Sequence, residues 1–120
     1  DEALSRLEEG LAIVRRNHPE RNSIEGKFLQ NTGFVHFDGG NMADALTMYN
    51  KAHRIMRKAL GPESADVCRV LGDIARALGR QGKDEEAMRK CDEALATSRA
   101  TLGDDDDLVA VLLYDMAECK

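Results

Sequence analysis

The chain has 120 residues, 17 Lys plus Arg against 22 Asp plus Glu, 42% hydrophobic and 32% charged residues. That composition excludes a disordered chain, and the net charge of −5 argues against nucleic acid, which demands a concentrated basic surface. No apolar run approaches the roughly 20 residues that span a bilayer, and no signal-peptide pattern is present. In chain order, apolar stripes at helical spacing predict six helices, near 1–17, 22–38, 42–59, 64–80, 84–101 and 105–119. Ala45, Tyr49, Ala52 and Met56 form one such stripe, and Val67, Leu71, Ile74 and Leu78 another. Gly40, Gly61, Gly82 and Gly103 fall between stripes, where a left-handed residue ends a helix. Pro19 and Pro62 occupy the same gaps, and Asn41, Ser64 and Asp104 to Asp107 precede stripes, as helix-start residues do. Nothing alternates with period two, so the expected fold is all-α.

An internal repeat organises these helices. At an offset of 42 residues Ala45 returns as Ala87, Ala52 as Ala94, Leu60-Gly61 as Leu102-Gly103, Val67 as Val109 and Leu71 as Leu113. Going backwards, Ala3-Leu4 precedes Ala45-Leu46, Ile13 precedes Ile55 and Leu29 precedes Leu71. A fixed period of this length is the mark of a solenoid of antiparallel helix pairs, each pair burying its stripe against its neighbours. Calling the helices of a pair A and B, the expected organisation is a helix B at 1–20, complete repeats at 21–62 and 63–104, and a helix A at 105–120. Gly33, Ala75 and Ala117 share one register of helix A, and Ala45 and Ala87 one register of helix B. Small residues at facing positions let paired helices approach to roughly 8–10 Å. Leu4, Leu7, Leu11 and Val14 at one end, and Leu108, Leu112 and Met116 at the other, leave apolar stripes that should meet more protein. The chain therefore reads as an internal segment of a longer solenoid, or one that associates through its ends.

Residues with chemical potential are scattered. His18, His36 and His53 form no metal-ligand pair, and a hydrogen-bonded core histidine is the preferred reading of His36. Cys68, Cys91 and Cys119 lack metal spacing; Cys68 and Cys91 read as buried thiols, which predicts an intracellular, cytoplasmic setting. Asp104 to Asp107 lack the alternating ligands and turn glycine of a calcium loop. With no nucleophile, base or phosphate loop in a shared context, no enzyme, metal or cofactor is expected.

The repeated motifs Ala45-Leu46-x-x-Tyr49-x-x-Ala52, Ala87-Met88-x-x-Cys91-x-x-Ala94 and Leu71-Gly72-Asp73-Ile74-Ala75, echoed as Leu113-Tyr114-Asp115-Met116-Ala117, resemble the tetratricopeptide repeat (TPR). With the Leu60-Gly61-Pro62-Glu63 linker, the resemblance is to the long repeats of kinesin light chains, and it covers essentially the whole chain. Departures are Thr32 and His36 in place of apolar helix A residues, and Cys91 in place of an aromatic. The resemblance implies a TPR-like superhelix whose A helices line a concave groove. The groove residues would be Lys27, Gln30, Asn31, Phe34 and Phe37 in the first copy, Arg69, Gly72, Asp73, Arg76 and Arg80 in the second, and Val111, Tyr114, Asp115 and Glu118 in the third.

At 100° per residue, Lys27, Asn31 and Phe34 share a face about 160° from Leu29, Gly33 and His36. Arg69, Asp73, Arg76 and Arg80 form a charged stripe, either a solvated face with Asp73 paired to its arginine neighbours or a recognition stripe for an acidic peptide. Phe34 and Phe37 form an apolar anchor or touch a neighbouring repeat. The set needed to clamp a C-terminal carboxylate is absent, because Gln30, Phe34, Asp73, Val111 and Asp115 stand at its registers. The expected function is a non-catalytic protein–protein interaction scaffold that binds a peptide or helical partner bearing acidic and apolar residues. Basic ligand residues would lie over Asp115 and Glu118. Two other readings are a building block of a large assembly that packs through its end faces, and the sensor arm of a multidomain signalling protein.

Overall fold

A computed structural model of the chain describes residues 2–17, 22–102, 110, 111, 113 and 114. Among these residues it contains five α-helices and no strands. They are α1 (Glu2–Asn17), α2 (Ser23–Asp38), α3 (Met42–Leu60), α4 (Ala65–Arg80) and α5 (Asp84–Leu102). The fold is all-α and built of packed helix pairs, and the five observed helices lie within a residue of the predicted stretches. The sixth expected helix, near 105–119, falls mostly outside the described residues, as do Pro19, Gly103 and Asp104 to Asp107.

The turns form for the reason the sequence suggests. Gly40, Gly61 and Gly82 have φ of 85°, 90° and 80°, a left-handed backbone that costs a residue with a Cβ and costs glycine little. At Gly40 the Asn41 N–H donates to the His36 carbonyl at 2.8 Å, and at Gly82 the Lys83 N–H donates to the Leu78 carbonyl at 3.0 Å. Those six-to-one bonds satisfy carbonyls left open at the helix ends. Ser64 caps α4 by accepting from the Asp66 N–H at 3.2 Å. Asn22, which the sequence reading did not single out, caps α2 and accepts from Ile24 at 2.9 Å and Glu25 at 3.1 Å.

Two compact units divide the chain, Asp1–Leu60 and Gly61–Lys120. In the first, α2 and α3 pack as an antiparallel pair, Gly26 against Met56 near one end and Gly33 against Tyr49 near the other. Tyr49 is 2% exposed and Met56 fully buried. Each such burial contributes about 1.5–3 kcal/mol. The close approach rests on glycine, since a Cβ on Gly33 would lie 3.2 Å from the Ala45 carbonyl oxygen. Helix α1 sits on the pair more lightly and contains no buried residue. Its attachments include Gly10, which lets the Phe28 ring lie flush against the α1 backbone, and an ion pair from Arg15 Nε to Glu25 Oε1 at 2.8 Å.

In the second unit α4 packs on α5 around a cluster of Cys68, Leu71, Ala94 and Leu95, with Ala65 at its margin. Cys68 and Cys91 are free thiols, both buried, as their apolar registers predict. Cys91 occupies the register of Tyr49, and Ser98 that of Met56, so small side chains replace large ones on this helix B. The aliphatic stripe of α4 is continuous: Val67, Val70, Leu71, Ile74, Ala75 and Leu78 are all buried. In α2 the registers of Ile74 and Leu78 hold Thr32 and His36, both half-buried. The Thr32 hydroxyl donates back to the Phe28 carbonyl at 2.9 Å, so a half-buried polar group is satisfied within its own helix. His36 is therefore not a core residue, because the α2 face that carries it is only partly covered.

Candidate functional site

The outward faces of α2 and α4 carry most of the expected groove residues. On α2 the buried residues are Glu25, Gly26, Leu29 and Gly33. Lys27, Asn31 and Phe34 lie on the other side and are exposed, as the 100° rotation per residue requires. Phe34 is 55% exposed, a large apolar ring in water. Phe37 is different, half-buried and engaged in contacts. Three residues further along, the helix has turned about 60° back toward the Gly33 side. The aromatic pair read from the sequence thus resolves into one exposed ring and one half-buried packing residue. Gln30 is half-buried.

On α4, Arg69 and Arg80 are exposed, and Asp73 and Arg76 are half-buried. Gly72, placed in the groove by the resemblance, is buried. Arg76 Nη1 stands 3.9 Å from Asp73 Oδ1, and Arg69 Nη1 stands 3.2 Å from Asp66 Oδ1. Asp66 was no part of the expected stripe, although it lies three residues before Arg69, where side chains on a helix meet. The stripe is thus three guanidiniums against two carboxylates, which reduces its positive excess. Partly exposed ion pairs of this kind contribute at most about 1 kcal/mol each. Arg80 also takes part in an interaction of its own.

From the third copy, Val111 and Tyr114 are exposed, Tyr114 by 63%. Asp115 and Glu118 lie outside the described residues, as do His18 and Cys119. Among the described residues no group of three or more His, Cys, Asp and Glu side chains could hold a metal ion, and no helix is long and apolar enough to cross a membrane. His53 is half-buried and engaged.

The sequence reading missed the Arg15–Glu25 pair altogether. Glu25 is 4% exposed, an acidic residue where the next repeat has the buried Val67. A charge at an apolar repeat register was the available signal, and the recurring arginine at positions 15, 57 and 99 the available partner.

Comparison with known families adds one positive finding. A model of the tetratricopeptide repeat family matches residues 28–90, just over half of the chain. No curated protein matches the sequence significantly.

Proposed function

The chain belongs to the tetratricopeptide repeat family, and from that premise we propose that it is a non-catalytic scaffold binding a peptide or helical partner on the outward faces of its A helices. Repeats of this family generally mediate protein–protein interaction, so a protein partner is the general expectation. The observation that carries the finer reading is Phe34, 55% exposed beside Lys27 and Asn31 on the face opposite the buried stripe. An exposed ring costs solubility unless something covers it, and aromatic anchors contribute heavily to binding. On α4 the same registers offer Arg69, Asp73, Arg76 and Arg80, where an acidic partner residue gains charge-assisted hydrogen bonds. The partner therefore carries an apolar residue for Phe34 and carboxylates for the arginines, with basic residues for Asp115 and Glu118. The 42-residue period supports the long repeat type of kinesin light chains, and the buried thiols support an intracellular, cytoplasmic setting.

A random peptide display library selected on the wild-type chain tests this reading. Enriched peptides should combine acidic and apolar residues, and Phe34→Ala with Arg69→Glu should weaken them at least about tenfold, the loss of one hot-spot contact. Equal binding by the variant would remove the assignment of these faces.

A further inference from the structure

Four of the chain's 17 Lys and Arg, and none of its 22 Asp and Glu, fall within residues 50–60, the second half of α3. They are Lys51, Arg54, Arg57 and Lys58, all exposed. At 100° per residue they fill an arc of about 120°, centred about 170° from the buried Ala45, Tyr49, Ala52 and Met56 stripe. The arc therefore lies on the side of α3 that faces away from α2. Along the helix axis the four cations span about 10 Å. Among the described residues none of the four takes part in an ion pair. The one acid of α3, Asp44, stands two turns before Lys51.

Neither the helix nor the repeat requires these charges. Arg57 and Lys58 sit in the last turn, where cations complement the negative end of the helix dipole. That effect fades within a turn, so it leaves Lys51 and Arg54 unexplained. The repeat does not ask for them either, since their registers hold Glu9 and Ala12 on α1 and Glu93 and Ala96 on α5. The spacing also carries a cost. Lys51 and Arg54, Arg54 and Arg57, and Arg54 and Lys58 are like charges three or four residues apart, which destabilise a helix. An ordinary solvated face mixes its signs, as α5 does with Glu85, Glu86, Arg89, Asp92 and Glu93 all exposed. The face on α3 has a single sign, in a chain whose net charge is −5.

We infer that this face of α3 docks an acidic segment of another protein, whose carboxylates relieve the repulsion. Carboxylates spread over about 10 Å would meet all four cations, the arginines through paired hydrogen bonds. An anionic membrane fits the face less well. The arc continues through Ala43, Thr47 and Asn50, all exposed, so it offers no large apolar side chain to insert, and charge alone anchors weakly. Nucleic acid fits poorly too, because the face has no aromatic ring for a base to stack on and the acidic chain repels phosphate. The face is separate from Phe34 and Arg69, so this inference stands apart from peptide binding by α2 and α4.

Fluorescence anisotropy of a labelled oligoglutamate peptide, in low salt, reads this surface directly. The wild-type chain should bind the peptide, and added salt should weaken the binding. Lys51→Gln, Arg54→Gln, Arg57→Gln and Lys58→Gln together should weaken it at least about tenfold, the loss of several partly exposed ion pairs. Arg69→Gln with Arg80→Gln, on α4, should bind as the wild type does. A wild-type chain that ignores the peptide, or an α3 variant that binds as tightly as the wild type, would overturn the inference. A loss confined to the α4 variant would overturn it too, as would tighter binding of phosphatidylserine vesicles or oligouridylate through the same four residues. Circular dichroism checks that the α3 variant keeps its helices, and Lys51→Gln with Arg54→Gln replaces it if it does not.

Discussion

Gly33 and Tyr49 pack so closely that a Cβ on the glycine would lie 2.7 Å from Cδ1 and Cε1 of the ring. Tyr49 is 2% exposed and has little room to withdraw. Alanine at position 33 would gain roughly 0.5–1 kcal/mol of helix propensity, but overpacking a full core costs about 1–3 kcal/mol. Gly33→Ala is therefore expected to lower stability by about 1–2 kcal/mol in urea unfolding. The second repeat carries Ala75 and Cys91 at these registers, so adding Tyr49→Cys should give a double variant more stable than the sum of the single losses. Strict additivity would show that the two residues do not share the space.

The ion pair between Arg15 and Glu25 predicts unequal effects from its two ends. Glu25 is buried and Arg15 is largely in water, with side-chain exposures of 6% and 57%. Arg15→Ala strands a buried carboxylate and should cost about 1–3 kcal/mol by thermal or urea unfolding. Glu25→Val installs the residue that the second repeat uses at this register, Val67, and should change stability by less than about 1 kcal/mol. Equal losses from both variants would mean that attraction, rather than desolvation, dominates the pair.

Ser98 is fully buried on α5, and its Oγ has no hydrogen-bond partner among the described residues. A buried hydroxyl that exchanges water for nothing costs about 1–3 kcal/mol. Ser98→Ala keeps the small volume and removes the unsatisfied atom, so the midpoint of unfolding should rise, by about 1 kcal/mol in free energy. A lower midpoint would show that the hydroxyl is bonded in solution.

Cys68 and Cys91 are 1% and 0% exposed. A thiol reagent reaches such groups only when α4 and α5 part, so labelling in a Cys119→Ser background should be slow and follow the opening of the pair. In urea, labelling should accelerate in step with the loss of helicity. Rapid labelling of the native chain would exclude the packed pair.

The helix ends were legible because their causes are local. A glycine with positive φ at Gly40, Gly61 or Gly82 stops a helix whatever lies across from it. The outward side of α2 was legible too, since helical rotation alone sets Lys27, Asn31 and Phe34 opposite Leu29 and Gly33. Finer details of the candidate site were not. Phe37 turned inward by about 60° of rotation, and Arg69 has Asp66 beside it. Glu25 found Arg15 across a helix break, a pairing that no local rule anticipates.

The composition, the 42-residue period and the spacing of small residues were sufficient to determine an all-α chain of paired helices and the main buried stripes of α3 and α4. Only the tertiary structure decided which of the three helix B stripes is covered. The Ala45, Tyr49, Ala52 and Met56 stripe of α3 is buried against α2 and the Ala87, Cys91, Ala94 and Ser98 stripe of α5 against α4, while the matching stripe of α1 stays half-buried or exposed even where the Phe28 ring of α2 meets Gly10. A stripe records in its own residues that it is apolar. Its burial depends on a second surface, and that surface belongs to another segment of protein.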